Sequence, residues 1–250
     1  RDGAPISPAS ITIAIENSLR SLRTDYIDLY QLHWPNRGSY MFRQNWTYDP
    51  SQQDTKSTLD HMMETLQQLD SLRLSGKIRH VGLSNETAWG TSRWLATAKT
   101  HNLPQMVSIQ NEYSLLCRLF DLDMAELSHH ENIGLLSYSP LAAGLLSGKY
   151  TDGTTPTGTR RSINADLGGR INEHLWPALG GYLDIAKRHE LDPCQMALAW
   201  AATRPFITSQ IIGATSITQL QTALESTNIS LSDAVMCDVQ NNYRRYPMPF

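Results

Sequence analysis

Cysteine is scarce in this chain: Cys117, Cys194 and Cys237 are the only three among 250 residues. The set is odd in number and widely scattered. It builds neither a disulfide framework nor a zinc-ligand spacing, so no metal is expected and a reducing, cytoplasmic setting follows. Charge of one sign is also lacking, with 21 basic against 24 acidic residues and a net charge of −3. A nucleic-acid binder working through bulk charge carries a basic surplus, so no nucleic-acid partner is expected. No apolar run approaches the ~20 residues that span a bilayer. No signal peptide opens the chain, and Arg1 stands where an initiator Met would, which predicts a segment of something longer. No Gly-x-Gly-x-x-Gly opens a helix after a strand, which argues against a Rossmann dinucleotide site.

What is present is globular: 40% of the residues are hydrophobic and 18% charged. The clearest strand runs Tyr26-Ile-Asp-Leu-Tyr-Gln-Leu-His33-Trp34, aromatic and branched, stopped by Pro35. A helix precedes it, with Ser7 as N-cap, Pro8 in the first turn and Ile11, Ile15, Leu19 and Leu22 on one face. A second helix is predicted over 55–74. Strand 78–84, helix 87–100, strand 106–110, helix 119–129 and strand 133–138 follow. A polar segment from Lys149 to Arg170 shows no periodicity. Helices over 173–189 and 193–203 come next, the latter with Asp192 as N-cap and Gln195 facing back. Strand 207–213, a capping box from Ser216 to Gln219 and a terminal helix from Ser232 complete the chain. Strict strand–helix alternation, at a step of about 30 residues for each unit, predicts an α/β class with parallel strands. A (β/α) barrel is the architecture left standing, although only five strands are visible where closure needs eight.

Each visible strand ends in hydrogen-bonding or small residues: His33; Ser84 and Asn85; Gln110 and Asn111; Tyr138 and Ser139; Gly213 to Ser216. Barrel enzymes keep their chemistry at these ends. Alternation sets His33 on one face with Gln31, Leu29 and Ile27. Each of these residues also has a structural reading. Ser84 and Asn85 would serve equally as helix caps, Gln219 as part of a capping box, and Tyr138 as barrel packing. Lys149, Arg160, Arg161 and Arg170 read either as solvated charge or as a phosphate-binding set. The 36–54 insertion holds Tyr40, Phe42, Trp46 and Tyr48, either a solvated loop or an aromatic-walled pocket.

Taken together the segments resemble the aldo/keto reductase family. Ser21-Leu-Arg-Thr-Asp-Tyr-Ile-Asp-Leu-Tyr-Gln-Leu-His33-Trp-Pro35 is similar to its strand-four signature, Gly76-Lys-Ile-Arg-His-Val-Gly-Leu-Ser-Asn85 to strand five, and Ile109-Gln-Asn-Glu-Tyr-Ser114 to strand six. Tyr138-Ser-Pro-Leu-Ala-Ala-Gly-Leu-Leu-Ser-Gly-Lys149 resembles strand seven, and Ile212-Gly-Ala-Thr-Ser-Ile-Thr-Gln-Leu220 strand eight. The nearest likeness is to the bacterial Tas-like subgroup, related to the β subunits of voltage-gated potassium channels. The resemblance implies a (β/α)8 TIM barrel of which strands four to eight with their helices are visible here, as one domain over 1–250.

It also implies NADP(H)-dependent reduction of small aldehydes or ketones by direct hydride transfer. On that likeness His33 orients the substrate carbonyl, Trp34 and Trp46 face the substrate, and Ser84, Asn85 and Gln110 hold the nicotinamide carboxamide. Tyr138 stacks on the nicotinamide ring. Ser139, Pro140, Leu141, Ala142 and Gly144, with Lys149 and Arg160, cradle the pyrophosphate. Gly213, Thr215, Ser216 and Gln219 grip the adenosine 2′-phosphate. The family's catalytic Asp, Tyr and Lys are carried on earlier strands that no segment here resembles, and turnover by this stretch alone is not expected. Thr222 and Ala223 stand where relatives carry an acid and an Asn. The alternative is a non-catalytic, cofactor-sensing or partner-binding relative, self-associating through exposed sheet edges.

Overall fold

A computed structural model describes residues 5–151 and 154–250. The chain has an α/β fold with a parallel five-stranded sheet in the order β1-β2-β3-β4-β5. These strands are β1 (Ile27–Leu32), β2 (Ile78–Ser84), β3 (Met106–Glu112), β4 (Gly134–Tyr138) and β5 (Ile207–Ile211). Sequential order leaves no point where the winding reverses, which is where a doubly wound sheet would place a nucleotide. Two compact units make up the chain: Arg1–Asn111 with Asp123–Leu135, and Glu112–Leu122 with Leu136–Phe250.

In the first unit, α1 (Pro8–Leu22) starts where Ser7 Oγ accepts from Ser10 N and Pro8 occupies the first turn. Ile11, Ile15 and Leu19 are buried, each burial contributing about 1.5–3 kcal/mol. Leu22, predicted on the same face, is exposed. The second helix, α2 (Thr55–Leu74), spans its predicted bounds, is capped by Asp54 and buries Met62, Thr65, Leu66, Leu69 and Leu72. Then come α3 (Ala88–His101) and α4 (Asp123–Glu131). Strand β1 pairs with β2 in parallel, with Gln31 opposite Gly82, and β2 pairs with β3, with Ser84 opposite Gln110.

The second unit holds α5 (Arg160–Ile163), α6 (Leu175–Arg188), α7 (Pro193–Ala202), α8 (Ile217–Glu225) and α9 (Asp233–Arg245). Its core is aromatic. Tyr113 stacks on Trp200 with centroids 5.5 Å apart, meets Phe206 edge-on, and donates to Asp121 Oδ1 at 2.6 Å. Burial, with the Asp121 carboxylate, pushes the Tyr113 phenol far up. Arg118 lies 3.7 Å over the Tyr243 ring and 5.0 Å over Trp200, and pairs with Asp121 at 2.6 Å.

The structure departs from expectation where side chains override local pattern. Strand β1 stops at Leu32, so His33 and Trp34 lie beyond it; β5 stops at Ile211 rather than residue 213. The helix predicted over 119–129 divides into a 3-10 turn, Leu119–Asp121, and α4, because Tyr113 and Arg118 both recruit Asp121. Gln195 does not face back on its cap but donates to Glu225 at 3.2 Å. The aperiodic 149–170 segment is packed at its ends: Tyr150, Leu167 and Arg170 are buried. No helix among the described residues is long and apolar enough to cross a membrane.

Candidate active site

In the first unit three strand ends are sewn together by the predicted residues. Ser84 Oγ donates to the Gln110 carbonyl at 2.6 Å, and Asn85 N donates to the same oxygen at 3.1 Å. Asn85 Nδ2 donates to the His33 carbonyl at 2.9 Å and to Ser84 Oγ at 3.0 Å. Asn85 takes a left-handed φ of 55° while buried, a conformation that Asn tolerates better than other side chains. The capping role is filled elsewhere: Thr87 Oγ1 accepts from Gly90 N and starts α3. Ser84 and Asn85 thus brace the rim instead of capping, with the Ser84 proton and both Asn85 amide protons committed.

His33 is exposed and stands one residue past β1. Leu32 and Trp34 line a cavity of about 490 Å³ together with Met62 and His61 of α2 and Trp94 of α3. Alternation leaves His33 on the other side, the side of Gln31. Its backbone carbonyl is held by Asn85. Trp34 stacks on Phe42 at 4.9 Å and Tyr40 meets Tyr48 edge-on at 5.8 Å, whereas Trp46 is 61% exposed on a 3-10 turn.

Beside the rim lies a buried polar cluster that nothing in the sequence singled out. Glu86 accepts from the Nη1 and Nη2 of Arg37, from Thr87 N at 2.7 Å and from Trp94 Nε1 at 3.3 Å. Asn36 Nδ2 lies 3.2 Å from His61 Nε2, and burial lowers the His61 pKa.

In the second unit the Tyr138 carbonyl accepts from Tyr113 N at 3.3 Å. The chain then turns sharply. Ser139 has φ 52°, and Ala142, Ala143 and Gly144 have φ 49°, 58° and 93° in succession. Left-handed backbone costs an L-residue about 1–2 kcal/mol, so Ser139, Ala142 and Ala143 together mark strain of the kind kept at functional turns. The Ser139 carbonyl accepts from Ala142 N, and the Leu141 carbonyl from Gly144 N and Leu146 N. Pro140 is buried and Leu141 partly so. A Cβ on Gly144 would stand 2.9 Å from Lys149 Cε, so glycine lets the lysine lie against this turn. Arg160 is exposed at the start of α5, while Arg161 is held between Tyr150 and Trp176 and donates to Thr154 O. Gly213, Thr215, Ser216 and Gln219 are all exposed. Ser216 Oγ accepts from Gln219 N, and Gln219 Oε1 returns to Thr215 N at 2.9 Å, one residue ahead of the predicted box. Among the described residues no three His, Cys, Asp or Glu side chains gather for a metal. Burial pushes the Cys194 thiol up to about 11, away from nucleophilic reactivity.

Parallel strands that end in a braced row of polar side chains make this an α/β protein with its candidate site at the carboxyl ends of its strands. Residues 2–243 match the Aldo/keto reductase family, and the chain belongs to that family of oxidoreductases. It is 41% identical over 243 residues to Protein tas of Escherichia coli K12, covering 96% of this chain and 68% of that protein. An aldo-keto reductase of Babesia bovis is 39% identical over 226 residues, 86% of this chain and 79% of its own length. An NADH-specific methylglyoxal reductase of E. coli is 29% identical over 230 residues, 92% and 63% of the two chains.

Proposed function

We propose that the whole protein reduces small aldehydes or ketones to alcohols with NADP(H), in a (β/α)8 barrel to which these strands and helices belong. The observation that carries this reading is the braced rim: His33, Ser84, Asn85 and Gln110 joined by direct hydrogen bonds across the ends of three adjacent parallel strands. The residues present fit the cofactor in hydrogen-bond sense. With the Ser84 hydroxyl and Asn85 amide protons committed, the rim offers acceptors at Ser84 Oγ and Gln110 Oε1, which suit the NH2 of a carboxamide. Lys149, seated against the turn at Gly144, supplies a cation for a phosphate group.

When bound, a reduced nicotinamide would supply hydride to the carbonyl carbon, and the proton that converts the resulting alkoxide to the alcohol would come from the tyrosine that the family resemblance places on an earlier strand of the whole protein. His33 donates a hydrogen bond to the carbonyl oxygen, polarising it and fixing its direction as negative charge develops there. Ser84, Asn85 and Gln110 hold the geometry of approach. Trp34 lines the cavity on the side of β1 away from His33, so the substrate contact expected of the two tryptophans falls to Trp46, exposed on its 3-10 turn. Tyr138 packs on the ring, and Ser139, Pro140, Leu141, Ala142 and Gly144 with Lys149 and Arg160 hold the pyrophosphate. Gly213, Thr215, Ser216 and Gln219 hold the adenosine end.

The test is carbonyl-dependent oxidation of NADPH, with NADH in parallel, by the purified full-length protein over a panel of aldehydes, ketones and quinones. Absence of turnover with both cofactors across the panel ends the enzyme reading. Turnover with NADH alone corrects the cofactor.

A further inference from the structure

We propose that Gln31 is a positioning residue: it decides which end of the Gln110 side-chain amide faces a bound nicotinamide. The inference rests on the cofactor reading above and adds what sets the direction of that contact. A side-chain amide has one accepting and one donating end, and its partners determine how it is turned. Here the series of partners begins at a group that cannot be reversed. The Leu83 backbone carbonyl only accepts, and Gln31 Nε2 donates to it at 3.2 Å. Turning the Gln31 amide over would set oxygen against oxygen. Gln31 Oε1 is therefore directed to Gln110, whose Nε2 donates to it at 2.9 Å. Gln110 is left with Oε1 as its outward end, and that oxygen accepts no hydrogen bond among the described residues.

The reach of Gln31 across β2 depends on a missing side chain. Gly82 is its register partner. A Cβ there would stand 2.5 Å from Ser108 Oγ and 3.2 Å from Gln31 Cγ. The bare strand lets Gln31 Nε2 meet Ser108 Oγ at 3.3 Å as well. The Gln110 main chain is already pinned through its carbonyl by Ser84 and Asn85. With the backbone held and the amide aimed, the rim meets a carboxamide NH2 with an acceptor. A ring substituent that carries only a carbonyl brings no hydrogen for Gln110 Oε1 to accept.

Equilibrium titrations of the full-length protein, followed by quenching of tryptophan fluorescence, compare NADP+ with its 3-acetylpyridine analogue. NAD+ and its own analogue run alongside, because the carboxamide end is common to both. The native protein is expected to prefer the carboxamide by about tenfold, the scale of one hydrogen bond made against one left unmade. In Gln31→Leu the preference collapses to within about twofold, the loss falling on the natural dinucleotide, while affinity for 2′,5′-ADP is unchanged. Gly82→Ala acts in the same direction by displacing Gln31, and a folded form of either variant decides the matter. A variant that keeps the native preference, or a native protein without one, overturns the positioning role and leaves the cofactor reading intact. A native protein that binds none of these dinucleotides overturns the cofactor reading and this proposal with it.

Discussion

Arg170 and Glu112 form an ion pair at 2.7 Å with both side chains almost wholly buried, Arg170 Nε and Nη2 sharing Glu112 Oε1. Arg170 Nη1 also donates to the Leu167 carbonyl, so one guanidinium clamps the end of the polar segment onto the end of β3. Removing one partner of such a pair leaves an uncompensated buried charge and costs about 3–5 kcal/mol. Arg170→Met should lower the unfolding free energy from urea titration by that amount and expose the segment to limited proteolysis. The double change Arg170→Met with Glu112→Leu should recover much of the loss. A single variant within 1 kcal/mol of native stability would show that the clamp contributes little.

His33 gives the opposite pattern, because its imidazole is exposed and only its backbone carbonyl is bound. His33→Leu should leave stability within about 0.5 kcal/mol of native. Carbonyl-dependent kcat/KM should fall by about 10²–10³, the scale of removing one preorganised donor. Steady-state kinetics beside a thermal melt separates the two effects. Normal turnover in a folded variant would remove His33 from the chemistry.

Gly144→Ala tests the left-handed turn. An L-residue forced to stay at φ 93° costs about 1–2 kcal/mol, and its Cβ pushes the end of Lys149 away. Weaker NADPH binding in Gly144→Ala should be matched by Lys149→Met, about tenfold or more for a lost charge-assisted contact. The Lys149 variant should also flatten the salt dependence of the dissociation constant.

The His61 pKa is lowered by burial, partly opposed by Glu64, so folding favours the neutral ring. The unfolded chain takes up the proton near pH 6.5, while the folded chain does so only at lower pH. Between those two values the unfolded state binds more protons, and stability falls as pH falls. His61→Gln should shallow the loss of stability below pH 6.5 in urea titrations across the acid range. An unchanged slope would assign the acid sensitivity elsewhere.

The strand–helix alternation and the bounds of α2 were legible because period and caps are local signals. The rim residues were legible as polar groups that end apolar runs, but their bonding was not. Asn85 reads as a helix cap but lies two residues ahead of the true cap, Thr87, and only the fold shows its amide tying β2 to β1. Arg37 and Glu86 are 49 residues apart, and Glu112 and Arg170 are 58 apart. Pairs so distant leave no local pattern. Gln31 carried one faint signal: it lies two residues before His33 on the same face, opposite a glycine in a strand that otherwise had no need of one.

Gln219 folds its side-chain oxygen back onto Thr215 N and Thr215 Oγ1, closing a small ring at the mouth of α8. A visitor seeking either group finds it already engaged, and only the Gln219 NH2 end is turned outward. An acceptor that meets that NH2 leaves the ring closed, whereas one that needs the Thr215 N–H must first open it. The ring thus keeps two of the loop's protons occupied and one amide in reserve.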